Sequence, residues 1–345
     1  MSPRQFLSRL AWFVAGLVVL FVACSAHYAA LSRNDNLARQ LELFGAGRPE
    51  VLILGDSHAA MNVDMGALGP HYATLAYPGE NWREIFLKMR YALETKPTVK
   101  LVVIPLDMHM FSSYRGQDMD MTHSMRFTRA PRDLEQVYGG GRMFLVRYVK
   151  SLVAYYLPLC LGPNWSNYRV LVLDHLGGAI WGKGPQKRIE IDDHGSIFYS
   201  DMRSFMDLPE PSRREAARER AVEQLKPPAT CEPLVHAFDE FLRYCAEHKV
   251  AVVGVRYPLT PEFRAAAAGY DLTAVEAVYR ARASRFVTKL DYSRSMEATP
   301  KLFRDEDHLT REGARAFTQM LSRDLEPIRQ HVDASAADLP STAGL

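Results

Sequence analysis

Val51-Leu-Ile-Leu-Gly-Asp-Ser-His58 is the stretch that decides the fold of this chain. Its four leading apolar residues, closed by Gly55, predict a short buried strand, and ligand-binding loops in an α/β sheet lie at the carboxyl ends of such strands. We therefore expect the Ser57 hydroxyl at the mouth of a site. Because serine alone is a poor nucleophile, catalysis by Ser57 would need a base and a carboxylate that orients the base.

The chain carries suitable groups near its other end. The segment Asp305-Glu-Asp-His-Leu309 stands directly before a helical pattern over residues 310–321. It supplies an imidazole at His308 and carboxylates on the residues before it. Either Asp305 or Asp307 can also cap the helix that follows, so the residues alone leave the orienting carboxylate open.

Gly55-Asp-Ser57 after the first strand and Asp305-x-x-His308 before the last helix together resemble the SGNH/GDSL hydrolase superfamily. The resemblance implies a flavodoxin-like three-layer α/β/α sandwich. It also implies an esterase, lipase, carbohydrate deacetylase or O-acyltransferase activity. In that pattern Ser57 is the nucleophile, His308 the base and Asp305 the residue that orients the base.

The resemblance further implies an oxyanion hole. Backbone N–H groups of Ser57 and Gly79 would form it, and Gly79 follows a second short strand. The family's Gly-x-Asn-Asp sequence after the third strand is absent here, and Asp107 or His109 occupies that place. An ionised carboxylate cannot donate a hydrogen bond to an oxyanion, so we consider Asn81 as the replacement donor.

Five further side chains are candidate substrate contacts. His58 follows the nucleophile directly, Asp107 and His109 follow the third strand, and Arg256 and Tyr257 follow a later buried strand. Structural packing is the ordinary alternative for each of them. Nothing in the spacing of His58, Asp107 and His109 demands a metal ion, so we predict no metal and no cofactor.

Length and charge narrow the class of protein. The 345 residues suffice for one large domain, or for one domain with a sizeable insertion. A net charge of +2, with Lys and Arg spread along the chain, argues against nucleic acid as a partner. The four cysteines (Cys24, Cys160, Cys231 and Cys245) lack metal-like spacing, so we expect free thiols, with a Cys231–Cys245 disulfide as the alternative.

The amino terminus predicts a membrane anchor. Arg4 and Arg9 precede a low-charge apolar stretch that runs to residue 31, long enough for a membrane-spanning helix. The positive leading end predicts a single-pass protein of the bacterial inner membrane, with the remaining chain on the periplasmic side. A cleaved signal peptide ending near residues 23–26 and a lipoprotein modified at Cys24 are the alternatives.

The rest of the chain divides by composition into five further segments. We predict a connector over 32–50, the first part of the SGNH-like domain over 51–110, an insertion or cap over 111–230, the second part over 231–332 and a disordered tail over 333–345. Within the insertion, residues 142–161 predict a helix that packs on the core or lies against a membrane surface. Residues 188–199 alternate about a turn and predict a β-hairpin.

The expected chemistry is acyl transfer through an acyl-Ser57 intermediate, with water as acceptor in an esterase or a sugar hydroxyl in an O-acyltransferase. The anchor and the missing Gly-x-Asn-Asp resemble bacterial envelope SGNH-like proteins that modify surface or exported polysaccharides. Carbohydrate is therefore the expected substrate, and polysaccharide biosynthesis proteins are expected partners. The alternative is a non-catalytic, anchored carbohydrate-binding or assembly protein. A phosphodiester or lipid hydrolase has no metal or phosphate motif to support it.

Overall fold

A computed structural model describes residues 2–32, 36–116, 121–128, 130–157, 159, 172, 189–199 and 203–337. The chain is an α/β protein with a five-stranded parallel sheet and an apolar helix at its N terminus. Both features are predicted by the sequence and confirmed by the structure.

The strands are β1 (Val51–Ile53), β2 (Tyr72–Thr74), β3 (Leu101–Pro105), β4 (Ile189–Ile191), β5 (Ile197–Tyr199), β6 (Ala251–Arg256) and β7 (Thr288–Asp291). The α-helices are α1 (Pro3–Ser32), α2 (Asn36–Ala46), α3 (Ser57–Asn62), α4 (Met65–Leu68), α5 (Trp82–Thr95), α6 (Ser113–Gly116), α7 (Pro131–Tyr138), α8 (Arg142–Tyr156), α9 (Glu210–Gln224), α10 (Glu232–Glu247), α11 (Pro261–Ala267), α12 (Thr273–Ala281) and α13 (Arg311–Ala337). Short 3₁₀ turns cover Ser124–Arg126, Phe205–Asp207, Ala283–Arg285 and Pro300–Leu302.

The main sheet has the strand order β2-β1-β3-β6-β7, and every neighbouring pair is parallel. Val51 lies opposite both Tyr72 and Leu101, so the first three strands start in register. Because the strands are parallel, the loops that leave their carboxyl ends gather at one edge of the sheet. Those loops carry Ser57, Gly79, Asp107 and Tyr257.

Helices cover both faces of the sheet. Successive strand residues point to opposite faces, and accordingly Leu52 and Val102 join one hydrophobic cluster while Val51 and Val103 join another. The first cluster includes Trp82 and Phe86 of α5 with Phe238 and Phe241 of α10; the second includes Ala59 of α3 with Phe317 and Leu321 of α13. Burial on both faces explains why the strands read as continuous apolar runs rather than alternating ones.

The predicted hairpin within residues 188–199 is confirmed. Strands β4 and β5 pair antiparallel, with Glu190 opposite Phe198. The turn places Ser196 against α4, where its hydroxyl accepts a hydrogen bond from Met65 N at 2.7 Å. The hairpin therefore packs beside the helices that follow β1.

Helix α1 lies outside this core. Residues Pro3–Tyr28 have a mean hydropathy of 2.2 and no buried share, and in the described part of the chain they form the one helix long and apolar enough to cross a membrane. A secretory signal sequence has the same properties.

Two further sequence expectations concern the C-terminal tail and the cysteines. Helix α13 continues to Ala337, so it includes residues 333–337 of the segment expected to be a disordered tail; the remainder of that segment lies outside the described residues. Alanine is the best helix former, and the Ala-rich sequence extends the helix.

Cys231 and Cys245 are free thiols, so the alternative disulfide is not formed, and burial raises the pKa of Cys245. Cys160 lies outside the described residues.

Candidate functional site

Ser57 begins helix α3 immediately after the turn that ends β1. Asp56 is the N-cap of this helix, and its carboxylate accepts a hydrogen bond from His58 N at 3.1 Å. Gly55 has φ +146°, and a Cβ there would lie 2.8 Å from Ala59 Cβ and 2.9 Å from Pro105 Cδ. The glycine is therefore required for the tight passage from strand to helix, which fixes where Ser57 stands.

Asp56 itself is fully buried and faces the Arg115 guanidinium and the His109 imidazole. Its carboxylate pairs with Arg115 of α6 and lies 2.7 Å from His109 Nε2. Burial alone would raise the pKa of Asp56, but Arg115 and His109 outweigh it and hold the pKa well below its usual range. The pKa of His109 is lowered by burial, although Asp56 opposes that effect. Asp56, the residue before Ser57, is therefore an ionised carboxylate in the interior.

His58 forms a buried pair with Asp107, the residue that follows β3. His58 Nδ1 lies 2.8 Å from Asp107 Oδ2, while Asp107 Oδ1 accepts a hydrogen bond from Tyr257 N at 3.2 Å. Burial disfavours a charged His58, yet Asp107 and Asp307 raise its pKa well above the ordinary value. His58 Nε2 lies 3.2 Å from Asp307 Oδ2, outside hydrogen-bond geometry.

His308 lies on the loop before α13 and is held by Asp305. Its Nδ1 is 2.9 Å from Asp305 Oδ1 and 3.1 Å from Asp305 Oδ2, and its backbone N–H donates to the same carboxylate at 2.8 Å. Asp307 Oδ1 is also 3.1 Å from His308 Nδ1. Burial would lower the pKa of His308, but the two carboxylates raise it to about 9.

The other ring nitrogen of His308 is open. Among the described residues, His308 Nε2 is buried without a hydrogen-bond partner, so Ser57 Oγ is not bonded to it. The His308 ring lies edge-on to the His58 ring, with 5.4 Å between ring centres. His58 therefore joins the helix that begins with Ser57 to the loop that carries His308.

A helix of the predicted insertion supplies two hydrogen-bond donors to the Asp307 carboxylate. Arg220 Nε lies 3.0 Å and Gln224 Nε2 2.6 Å from Asp307 Oδ2, and both side chains belong to α9. Burial would raise the pKa of Asp307, but His308 and His58 hold it well below its ordinary value. The insertion thus contributes directly to the electrostatics around His308.

Several side chains that hold this site together were missed by the sequence prediction. They are Asn62, Arg115, Arg220 and Gln224. Each bonds to a partner between 59 and 247 positions away in sequence, and none belongs to a motif. The only local signal was that all four are charged or amide residues.

The proposed oxyanion donors stand after β2. Gly79 has φ +89° with open space where a Cβ would be, so its backbone conformation alone favours glycine. Asn81 caps α5: its Oδ1 accepts from Arg83 N at 2.9 Å, and its Nδ2 donates to Arg115 O at 3.2 Å. Both polar atoms of the Asn81 side chain are therefore already engaged, and its oxyanion role stays a prediction.

A cavity of about 380 Å³ opens beside the His58–Asp107 pair. Four of the predicted substrate contacts line it: His58, Asp107, His109 and Arg256. Its other walls are mainly α9, α11 and the segment after β7, including Leu225, Leu259, Phe263, Ala267, Arg264 and Arg294. Ser57 and His308 do not line this cavity. Tyr257 is fully buried, and its hydroxyl has no hydrogen-bond partner in the described part of the chain.

Some of these groups also have spacing that suits a metal ion. Asp56, His58 and His109 form one such set, and His58, Asp307 and His308 form another, with potential ligand atoms within 4.8 Å of one another. In both sets an arginine already pairs with the carboxylate, Arg115 on Asp56 and Arg220 on Asp307. A nearby guanidinium disfavours a bound cation at the same carboxylate. We therefore expect these groups to exchange protons rather than to hold a metal ion.

No known protein family model matches this sequence. A search of curated proteins likewise finds no significant relative.

Proposed function

We propose that this protein is a serine acyl-transfer enzyme of the SGNH type, with Ser57 as nucleophile and His308 as base. The observation that carries the proposal is the pairing of the buried His308 with the part-buried Asp305, which leaves His308 Nε2 without a partner among the described residues. Counting only strands of the main sheet, the order is 2-1-3-4-5, which is the order of flavodoxin-like sheets. This order supports the fold implied by the sequence resemblance.

The proposed reaction has two halves. His308 Nε2 takes the Ser57 proton while Oγ attacks the acyl carbonyl carbon, and Asp305 holds the imidazole through Nδ1. Backbone N–H groups of Ser57 and Gly79 stabilise the tetrahedral oxyanion. His308 returns the proton to the departing alcohol, which leaves acyl-Ser57. The acceptor then gives its proton to His308 and attacks the ester carbonyl; the ester bond to Ser57 breaks, His308 returns the proton to Ser57 Oγ, and the free acid or the acylated sugar leaves.

The absent Ser57–His308 hydrogen bond is compatible with this reaction. Catalytic hydrogen bonds are commonly long or misaligned in unliganded enzymes and tighten when substrate binds. Helix α3 and the His308 loop are already joined, because Asn62 of α3 bonds to the backbone on both sides of His308.

The cavity supports an acylated carbohydrate as substrate. Its lining includes polar groups for sugar hydroxyls at His58, Asp107 and His109 and apolar side chains for an acyl chain at Leu259, Phe263 and Ala267. Ser57 directly precedes His58 in the chain, so a substrate held there would bring its ester to Ser57 from the His58 side. Helix α1 would attach the enzyme to the inner membrane, with the sheet domain on the periplasmic side. The proposed substrate is therefore a carbohydrate of the envelope or one being exported, handled together with polysaccharide biosynthesis proteins.

A non-catalytic carbohydrate-binding or assembly role is the second candidate. It is favoured by the engaged Asn81 side chain and by the raised pKa of His308, since a protonated imidazole cannot act as a base. The same cavity would then hold a sugar without acyl transfer.

Labelling by a fluorophosphonate separates the two roles. The full-length protein in detergent would be treated with the reagent, or pulsed with p-nitrophenyl acetate, and its intact mass measured. We expect one adduct that Ser57→Ala abolishes and that His308→Ala slows by about 100-fold or more. Ser212→Ala and His248→Ala, both at exposed positions, are the matched controls and should label normally.

The outcomes point in opposite directions. An adduct confined to Ser57 establishes an activated serine, and the decay of acyl-Ser57 with water or only with added sugar then distinguishes esterase from transferase. Absence of any adduct, in protein whose circular dichroism shows it is folded, overturns the enzymatic proposal and favours the binding role.

A further inference from the structure

Helix α8 exposes an apolar stripe on a face that no described residue covers. Leu145 and Val146 are followed by Val149 and Val153 at spacings of three or four residues, so the four side chains lie on one side of the helix. Their exposed fractions run from 40% at Val153 to 59% at Leu145. An exposed continuous apolar stripe of this kind marks an interaction surface.

The opposite side of α8 is already packed against the protein. Phe144 and Ala154 are buried, and the buried Ser151 hydroxyl accepts a hydrogen bond from Met121 N at 3.3 Å. Apolar side chains on a helix are normally covered by other apolar groups. Because the described residues cover only one side of α8, an apolar partner for the exposed stripe would have to come from outside the described fold.

The charges on α8 have a single sign. Arg142 and Lys150 are exposed and Arg147 is half-buried, while the helix contains no Asp or Glu. None of the three basic side chains has an ion-pair partner among the described residues. A short helix with an apolar face and unpaired basic residues matches the composition of helices that lie in the plane of an anionic membrane surface.

Length excludes a second membrane span. Helix α8 has 15 residues, which at about 1.5 Å per residue fall well short of the roughly 30 Å hydrocarbon core. Helix α1 has the apolarity and length needed to place the chain at a bilayer. The sequence of α8 is compatible with packing on the core or against a membrane, and the helix has one face for each: a buried face and an exposed apolar face.

We propose that α8 lies on the membrane to which α1 attaches the chain. Its stripe enters the boundary between headgroups and acyl chains, and the exposed Arg142 and Lys150 contact anionic headgroups. This contact holds one side of the predicted insertion against the bilayer. It is independent of the chemistry proposed for Ser57.

Lipid contact can be measured directly in the full chain. A variant without its four native cysteines would carry single replacements Val146→Cys, Val149→Cys or Val153→Cys, labelled with the environment-sensitive dye NBD. The matched controls are Val222→Cys and Val287→Cys, because both valines are 52% exposed but lie outside α8. Each protein is reconstituted in phosphatidylcholine–phosphatidylglycerol vesicles with or without lipids that carry a nitroxide near the headgroup.

We expect the nitroxide lipids to reduce NBD emission about twofold or more at the α8 positions and little at the two controls. Arg142→Glu combined with Lys150→Glu should weaken that quenching, most strongly in anionic vesicles. Unquenched α8 labels with water-like emission overturn the proposal. Unquenched labels with blue-shifted emission overturn it too, because they show that protein, such as a second copy of the chain, covers the stripe.

Discussion

Asn62 Oδ1 accepts a hydrogen bond from Leu309 N at 2.8 Å, joining residues 247 positions apart in the chain. Asn62 Nδ2 also donates a hydrogen bond to Asp307 O at 3.3 Å, so the side-chain amide is bonded to the backbone on both sides of His308. Asn62 ends the helix that Ser57 begins, and it is fully buried. This one side chain therefore sets the distance between the proposed nucleophile and the proposed base.

Replacing Asn62 should impair both stability and labelling. Asn62→Ala leaves Leu309 N and Asp307 O unpaired in the interior, which we expect to lower the free energy of unfolding by about 1–3 kcal/mol per lost partner. The Ser57 labelling rate should fall further than the loss of folded protein explains, because the His308 loop loses its register. Urea unfolding and labelling kinetics measure the two effects. A variant as stable and as reactive as the original chain would show that Asn62 does not position the loop.

The labelling rate should depend on pH through His308. With its pKa raised to about 9 by Asp305 and Asp307, the imidazole is protonated at neutral pH and must lose that proton to act as a base. The rate should therefore rise about tenfold per pH unit and level off above pH 9. Asp307→Asn removes one negative charge 3.1 Å from Nδ1, so the pKa should fall and the rise should shift to lower pH.

The control for this prediction is Asp271→Asn, which changes an exposed carboxylate remote from His308 in the described fold. It should leave the pH profile unchanged. A wild-type profile that is flat between pH 6 and 10 would mean that His308 is not the base.

The parts of the site that the sequence could predict depend on local patterns. Asp305 contacts His308 three residues later, and Ser57 follows an apolar strand directly, so short motifs suffice for both. The parallel sheet could be predicted for the same reason, because its buried strands are separate apolar runs. Strand order and the packing of the hairpin required the structure.

No local sequence pattern identifies pairs of side chains that lie far apart in the chain. Arg115 reaches Asp56 across 59 positions, and Arg220 reaches Asp307 across 87. An arginine in a helix usually faces water, so its burial against a distant carboxylate cannot be read from its neighbours. The role of His58 was underestimated for a related reason: its two carboxylate neighbours, Asp107 and Asp307, come from loops far away in the chain.

The Asp56–Arg115 pair should make the protein sensitive to acid. Because the folded pKa of Asp56 is depressed, its stabilising contribution is present above the ordinary carboxyl value near pH 4 and is lost as the pH falls below it. Asp56→Asn should cost about 3–5 kcal/mol at pH 7, since it leaves a buried guanidinium without its partner. Urea unfolding at pH 7 and pH 3 measures both effects.

The variant's own pH dependence provides a second check on the pair. Asp56→Asn should lose less stability than the original chain between pH 7 and pH 3, because the titrating group is gone. Adding Arg115→Met should recover part of the lost stability by removing the unpaired charge. If Asp56→Asn alone is as stable as the original chain at pH 7, the pair does not stabilise the fold.

Gly55 is the position where a single methyl group should displace Ser57. An alanine there would need φ near +146° and would place its Cβ 2.8 Å from Ala59 Cβ and 2.9 Å from Pro105 Cδ. Backbone strain and overpacking together should cost about 2–5 kcal/mol. Gly69→Ala is the matched control: its φ of +92° and ψ of −177° also favour glycine, but the space around its Cβ is open, so only backbone strain of about 1–3 kcal/mol applies. Labelling of Ser57 should slow in Gly55→Ala and stay normal in Gly69→Ala. Equal costs at the two positions would mean that Ala59 and Pro105 move aside readily, in which case the turn after β1 does not fix the position of Ser57.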